Sequence, residues 1–197
     1  MIFLRNFINF KGLIGISLVL IALSTAIIAP LIIPPEYATN MDMRARLSLP
    51  SSDHFLGTDQ LGRDLFYRVM LGARTSISIA VSAVLLSLII GLPMGLISGF
   101  FRGTVDNILM RLVDTLLSFP ALLLALTISA VLGPNLKNTI LAIGIAFTPY
   151  LARLIRGEAL RVSQMPYVEA AKAAGANNFR IMVGHILPNI TPVIIVQ

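Results

Sequence analysis

The chain has 197 residues, of which 56% are apolar and only 12% charged, and it contains no cysteine. Soluble domains carry roughly a quarter charged residues, so a core of this size leaves apolar surface that must face lipid, and disulfide frameworks and thiolate metal sites are excluded. The formal charge of +6 is spread in small groups between apolar runs, which fits membrane lipid as the surroundings and argues against nucleic acid as a partner.

The first uncharged run, residues 12–35, is preceded by Arg5 and Lys11. It is longer than a signal-peptide core and lacks an A-x-A cleavage site, so it reads as an uncleaved transmembrane anchor. Residues 1–35 therefore form a terminal tail and first span. Residues 36–74 follow as a segment outside the membrane with five cations and five acids. Its turn-rich stretch LPSSDHFLGTDQLGRD leads into an amphipathic helix with Leu61, Leu65, Phe66 and Val69 on one face, capped by Thr58 or Asp59. That helix is expected to lie along the interface or to lead into the second span. Asp53, His54 and Asp59 could be imagined around a cation, but turn and capping duties suit them better.

Further uncharged runs cover 75–101, 115–136 and 138–152. A spanning helix needs about 20 apolar residues, so the 75–101 and 115–136 runs qualify. The run at 138–152 reaches that length only if Lys137 or Arg153 snorkels to an interface. A last run begins near Ile186 and has twelve residues to Gln197, too few to cross, so the sequence is expected to stop inside a helix, as a partial chain would. The expectation is an all-α polytopic membrane protein with about four full spans and the start of a fifth.

Ala83, Ser87, Gly91, Gly95 and Gly99 recur every four residues along the second span. Small residues at that spacing let two helix backbones approach closely, either within one bundle or between subunits. Pro93, Pro120, Pro134 and Pro149 interrupt or flank three spans, where they kink helices or free carbonyls. No titratable residue falls at a span centre, where a proton relay would need one, so energy for any work comes from elsewhere. The two histidines, His54 and His185, have no metal-ligand partner at helical spacing, and no hydrolase or P-loop motif occurs. No catalytic residue, metal or cofactor is expected.

Lys and Arg counts set the orientation. The N-terminal tail, the 102–114 loop and the 153–185 loop hold two, two and five cations, nine in all, against six in the 36–74 segment and at Lys137. The N-terminus and the 153–185 loop are therefore placed in the cytoplasm.

That loop has a pattern of its own. Pro166 suits a first helical turn, Glu169 favours the positive end of the helix dipole, and Ala170, Ala171, Ala173 and Ala174 are strong helix formers. Gly175 stops the helix. Asn177 or Asn178 caps a second one, with Phe179, Ile181, Met182 and Ile186 as its apolar side, and Pro188 ends or bends it. Such a hairpin either caps its own bundle or offers a thin, alanine-lined helix to a groove on another protein.

The residues Glu169-Ala170-Ala171, Gly175, His185 and Leu187-Pro188 resemble the EAA loop of ABC importer permeases. The general family commonly has isoleucine where His185 stands, and a basic residue there is similar to the peptide branch. Residues 54–77 and 114–126 also resemble segments of the oligopeptide, dipeptide and nickel permeases, and the likeness runs from about residue 10 to 197. The resemblance implies a type I ABC importer transmembrane fold of six spans, with residues 75–197 in the transmembrane domain and the coupling loop at about 153–187. It implies a second permease subunit in a heterodimer, two ATP-binding subunits and an extracytoplasmic solute-binding protein, in the inner membrane of a prokaryote. Glu169, Ala170, Ala171, Gly175, Leu187 and Pro188 would then dock on the ATPase. The solute would be a di- or oligopeptide, with nickel or glutathione as alternatives, and a non-transporting scaffold that recruits a cytosolic partner is the competing class.

Overall fold

The computed structural model describes residues 10–196, and its regular elements are helical throughout. Arg5 and Gln197 lie outside the described residues, as does the side chain of Lys11. The described residues form two compact units that divide between Ile79 and Ala80.

The first unit opens with α1 (Phe10–Ile32), which ends where Pro34 and Pro35 follow, because a residue before proline is pushed out of the helical region. Leu13, Leu18, Ile27 and Leu31 stand exposed along it, as a helix with lipid for solvent allows. A single turn, α2 (Glu36–Thr39), precedes a 3₁₀ turn at Met43–Ala45, capped by the Asp42 carboxylate, which accepts from the Arg44 N–H at 2.9 Å. The next residues fold back through a lone antiparallel bridge between Thr58 and Asp64.

The long helix α3 (Leu65–Phe101) starts directly after that bridge. Its cap is Asp64, whose Oδ1 accepts from the Phe66 N–H at 2.8 Å, and neither Thr58 nor Asp59 fills that role. Both are committed elsewhere. Thr58 donates its hydroxyl to the Ala45 carbonyl, and Asp59 Oδ1 accepts from the N–H groups of Leu61 (2.8 Å) and Arg63 (3.0 Å). The amphipathic segment is therefore the first turns of the second span rather than a separate interfacial helix, with Leu61 just outside it.

In the second unit, from Ala80 onward, α3 continues without a break past Pro93. The chain reverses at Arg102 and Gly103, both at positive φ (+52° and +61°). Helices α4 (Gly103–Leu117) and α5 (Ala121–Leu132) follow, bent by 85° at Ser118-Phe119-Pro120. The uncharged run at 115–136, expected to be one span, is thus broken near its start. Pro120 supplies no N–H to continue α4, and the Ser118 hydroxyl turns back onto the Thr115 carbonyl at 2.6 Å.

Helix α6 (Leu136–Val162) begins at Asn135, whose side chain accepts from the Lys137 N–H at 3.1 Å. At 27 residues it is much longer than the uncharged run within it, because it carries Arg153, Arg156, Glu158 and Arg161 in its last third. Pro149 is buried inside it without ending it.

The register of α3 against α6 fixes the topology. Gly91 lies against Thr148, Gly95 against Ala152 and Ile155, and Gly99 against Arg156 and Ala159. Both sequences rise together, so the two helices are parallel. Since α6 is about 40 Å long at 1.5 Å per residue, the bent pair α4–α5 has to carry the chain back along the bundle. Among the described residues four helices are long and apolar enough to cross a membrane, and up to five crossings result when the bent pair is taken as one.

Candidate functional site

The hairpin consists of α7 (Pro166–Ala173), a turn at Gly175 (φ +82°) and α8 (Asn178–Ile181). Asn177 caps α8, its Oδ1 accepting from the Arg180 N–H at 2.7 Å. Pro188 does not end this second helix. The chain widens into a π turn at Met182–Ile186, where the Leu187 N–H donates to the Met182 carbonyl, and continues as α9 (Leu187–Val196). A π turn absorbs the donor that Pro188 lacks, so the helix enters the last span unbroken.

One side of the hairpin is anchored by aliphatic side chains. Val168, Ile181, Ile186 and Ile190 are fully buried, in one cluster with Leu96 of α3 and Ile155, Ala159 and Val162 of α6. Full burial of such a side chain is worth about 1.5–3 kcal/mol, so this cluster holds the hairpin firmly on the ends of α3 and α6. Phe179 departs from the expected apolar side and is 71% exposed. Val168, the one α7 residue that is buried, was not distinguishable from its neighbours by spacing within so short a helix. Lys172 adds a cation–π contact, with its Nζ 5.2 Å from the centre of the Phe100 ring.

The other side is open. Glu169, Ala170 and Gly175 are exposed, Ala171 is half-buried, and Leu187 and Pro188 lie at the start of α9, half-buried and exposed respectively. His185 is half-buried. No ion-pair partner reaches Glu169 among the described residues, and a Cβ added at Gly175 would meet nothing within 4 Å. The small-residue stripe has the opposite character. Ala83, Ser87, Gly91, Gly95 and Gly99 are all buried, with the three glycines against α6 of the same chain. A Cβ at Gly95 would lie 2.5 Å from the Ala152 carbonyl oxygen, and one at Gly99 2.7 Å from that of Arg156. Ser87 donates to the Gly144 carbonyl at 2.7 Å, which also accepts from Thr148 at 2.7 Å.

Charged groups gather where α3, α4 and α6 meet near the hairpin. The carboxylate of Asp106 accepts from Arg156 Nε and Nη2, both at 2.5 Å, and from the buried Ser98 hydroxyl. Arg102 donates to Ser163 at 3.2 Å, and Arg153 pairs with Asp114. In the sequence Arg102 and Arg156 entered only the cation count that sets orientation, and pairing with Asp106 across 50 positions leaves no local signal.

The imagined cation site does not form. His54 Nδ1 lies 2.9 Å from Asp64 Oδ2, while Asp59 is taken by Arg63 and Arg68. Among the described residues no three metal-ligating side chains converge.

Helices of this length, faced with leucine, isoleucine and valine, make the chain a multi-pass helical membrane protein. Residues 91–197 match the family described as binding-protein-dependent transport system inner membrane component, and the chain belongs to that family. The membrane fold is that of type I ABC importers, and the family consists of transport subunits rather than enzymes.

The chain is 40% identical to the dipeptide transport system permease protein DppC of Alkalihalophilus pseudofirmus, over 96% of this chain and 62% of the relative. It is 36% identical to the glutathione transport system permease protein GsiD of Pectobacterium atrosepticum, over 98% and 65%. To the probable D,D-dipeptide transport system permease protein DdpC of Escherichia coli it is 44% identical, over 85% and 57%. The chain thus spans about three fifths of the length of these curated relatives.

Proposed function

We propose that this chain is a membrane-spanning permease subunit of an ATP-driven importer of short peptides, and that the open side of the hairpin is where it couples to the ATPase. The observation that carries the reading is the hairpin's two-sidedness: aliphatic residues fix it to α3 and α6, while Glu169, Ala170 and Gly175 are exposed and Glu169 has no ion-pair partner among the described residues. Small side chains admit the helix backbone into a cleft, and the acid is available to a cation on the partner. The energy source lies outside the chain, which fits ATP-binding subunits that move the hairpin as they close.

The partners that follow are a second permease subunit, two ATPases and an extracytoplasmic solute-binding protein. The N-terminus, the Arg102 turn and the hairpin lie on the cytoplasmic side, with residues 36–74 outside; the cation bias supports this, and the parallel course of α3 and α6 puts the Arg102 turn and the hairpin at the same end. The solute is a di- or oligopeptide, as the names of the relatives suggest, and glutathione, itself a tripeptide, falls within that chemistry.

The test is a Glu169→Lys, Gly175→Trp double variant in the full-length permease, assembled with its partners in proteoliposomes. Insertion is expected to be normal, cysteine crosslinks from position 173 to the ATPase are expected to disappear, and ATP-dependent peptide uptake is expected to stop. Uptake at the wild-type rate would refute the docking role.

A further inference from the structure

We infer that Asp106 and Arg156 are a positioning pair that carries movement of the hairpin into the bent return segment α4–α5. The inference rests on the transport reading above and concerns how the docked hairpin acts on the spans.

The hairpin shares its buried cluster with the ends of α3 and α6, so these parts move together. The α3–α6 contact has no slack at this level, because Gly99 lies against the Arg156 carbonyl oxygen and Ala159 Cβ. Arg156 is therefore held by backbone packing as well as by its own helix. Helix α4 is attached differently. Its covalent link to α3 is the reversal at Arg102-Gly103, where a Cβ at Gly103 would meet nothing within 4 Å, so the link has room to hinge at Gly103 while the Arg102 side chain donates to Ser163.

Val113 of α4 is fully buried, but the polar tie between α4 and the moving body is Asp106, buried and one turn beyond that reversal. Both of its oxygens are engaged by the Arg156 guanidinium, and the Ser98 hydroxyl of α3 adds a third bond. A two-point carboxylate–guanidinium contact fixes direction as well as distance, which a single ammonium charge does not. Residues from three helices thus meet at one carboxylate. The second pair along α4, Asp114 with Arg153, cannot replace it, since both side chains are more than half exposed (60% and 53%). Downstream of Asp106 lie the rest of α4, the 85° bend and α5, so a displacement imposed at Arg156 is delivered to the bend.

The experiment uses the full-length permease in the assembled transporter, with spin labels at Phe179→Cys on the hairpin and Leu122→Cys on α5, both exposed positions. With Asp106 and Arg156 intact, the distance between the labels is expected to be single and unchanged through the ATP cycle. Asp106→Asn is expected to broaden that distance and to lower uptake per ATP hydrolysed by about tenfold, while ATP hydrolysis and the crosslink from position 173 to the ATPase persist. Arg156→Lys keeps the charge and the fold but loses the two-point contact, and serves if Asp106→Asn fails to insert; its expected loss is about threefold.

Uptake per ATP and a label distance both unchanged in these variants would overturn the inference. So would loss of the crosslink together with uptake, which would make the pair merely structural. A missing crosslink in the unsubstituted transporter would instead count against the docking reading, and the label distance would still decide the role of the pair.

Discussion

Two of the turns built on a glycine at positive φ, at Gly62 (+71°) and at Gly175 (+82°), are completed in opposite ways. A Cβ at Gly62 would collide with the backbone of Asp42, whereas one at Gly175 would meet open space. Around Gly62 the buried and half-buried polar side chains are used internally: Thr58 on Ala45, Asp59 on Leu61, Arg63 and Arg68, and Asp64 on His54 and Phe66. Around Gly175 the anchoring is aliphatic and the nearby acid is left over. A turn that satisfies all its own groups shapes its own chain. One that is firmly anchored yet leaves a face and a charge unused is made to be completed by something else.

The largest effect is expected from removing the aliphatic anchor. Ile181→Ala deletes a fully buried side chain from the cluster that holds the hairpin, at a cost of about 2–5 kcal/mol. Hydrogen exchange across residues 166–181 should accelerate strongly, and unchanged exchange would mean that the hairpin is held by something other than this cluster. Gly62→Ala comes next, because the alanine meets both an unfavourable φ and the Asp42 backbone, for about 1–3 kcal/mol. Gly175→Ala meets the φ penalty alone, about 1 kcal/mol. Thermal midpoints of the two variants should therefore separate, with Gly62→Ala lower, and equal shifts would erase the contrast between a closed turn and an open one.

Much of the open turn was legible in the sequence because its signals are local. Pro166 in the first turn, Glu169 beside it, Gly175 at the stop and Asn177 as cap are all fixed by neighbours within a few residues. The closed turn was misread for the same reason. Thr58 and Asp59 have the chemistry of caps, but a bridge and a second reversal intervene before the helix starts, and only the folded path shows that Asp64 occupies the cap. The apolar run at 115–136 had the length of a span, and its composition did not reveal that Ser118-Phe119-Pro120 turns the chain by 85°. Pro188 was expected to end or bend the second helix, which is instead continued through a π turn at Met182–Ile186, with Ile186 and Ile190 buried on either side of Pro188. Least legible was the Asp106–Arg156 pair, which joins helices 50 residues apart.

A smaller effect on stability, and a large one on function, separates the open face from its anchor. Glu169 is exposed and makes no ion pair among the described residues, so Glu169→Lys alone should change stability by no more than about 0.5 kcal/mol. Exchange protection at Val168 and Ile181 should be unaltered while ATP-dependent uptake falls. If protection is lost along with uptake, Glu169 belongs to the fold and the open face has no separate role.

The smallest expected effect concerns pH at the closed turn. Burial would raise the Asp59 carboxyl, but the N–H groups of Arg63 and Leu61 and the Arg63 guanidinium outweigh it and hold it at about 2, below the ordinary 3.8. Because the folded value is the lower one, the contribution of Asp59 is complete above 3.8 and drains away as the pH falls toward 2. A spin label at Leu61→Cys should gain mobility across that window. In Asp59→Asn the label should be mobile already at neutral pH and should respond little to acid, since the carboxylate that organises the turn is gone. A label at Phe179→Cys, on an element held by aliphatic contacts, should change less over the same range. A wild-type label at position 61 that stays rigid down to pH 2 would show that the bridge between Thr58 and Asp64, rather than Asp59, keeps this turn closed.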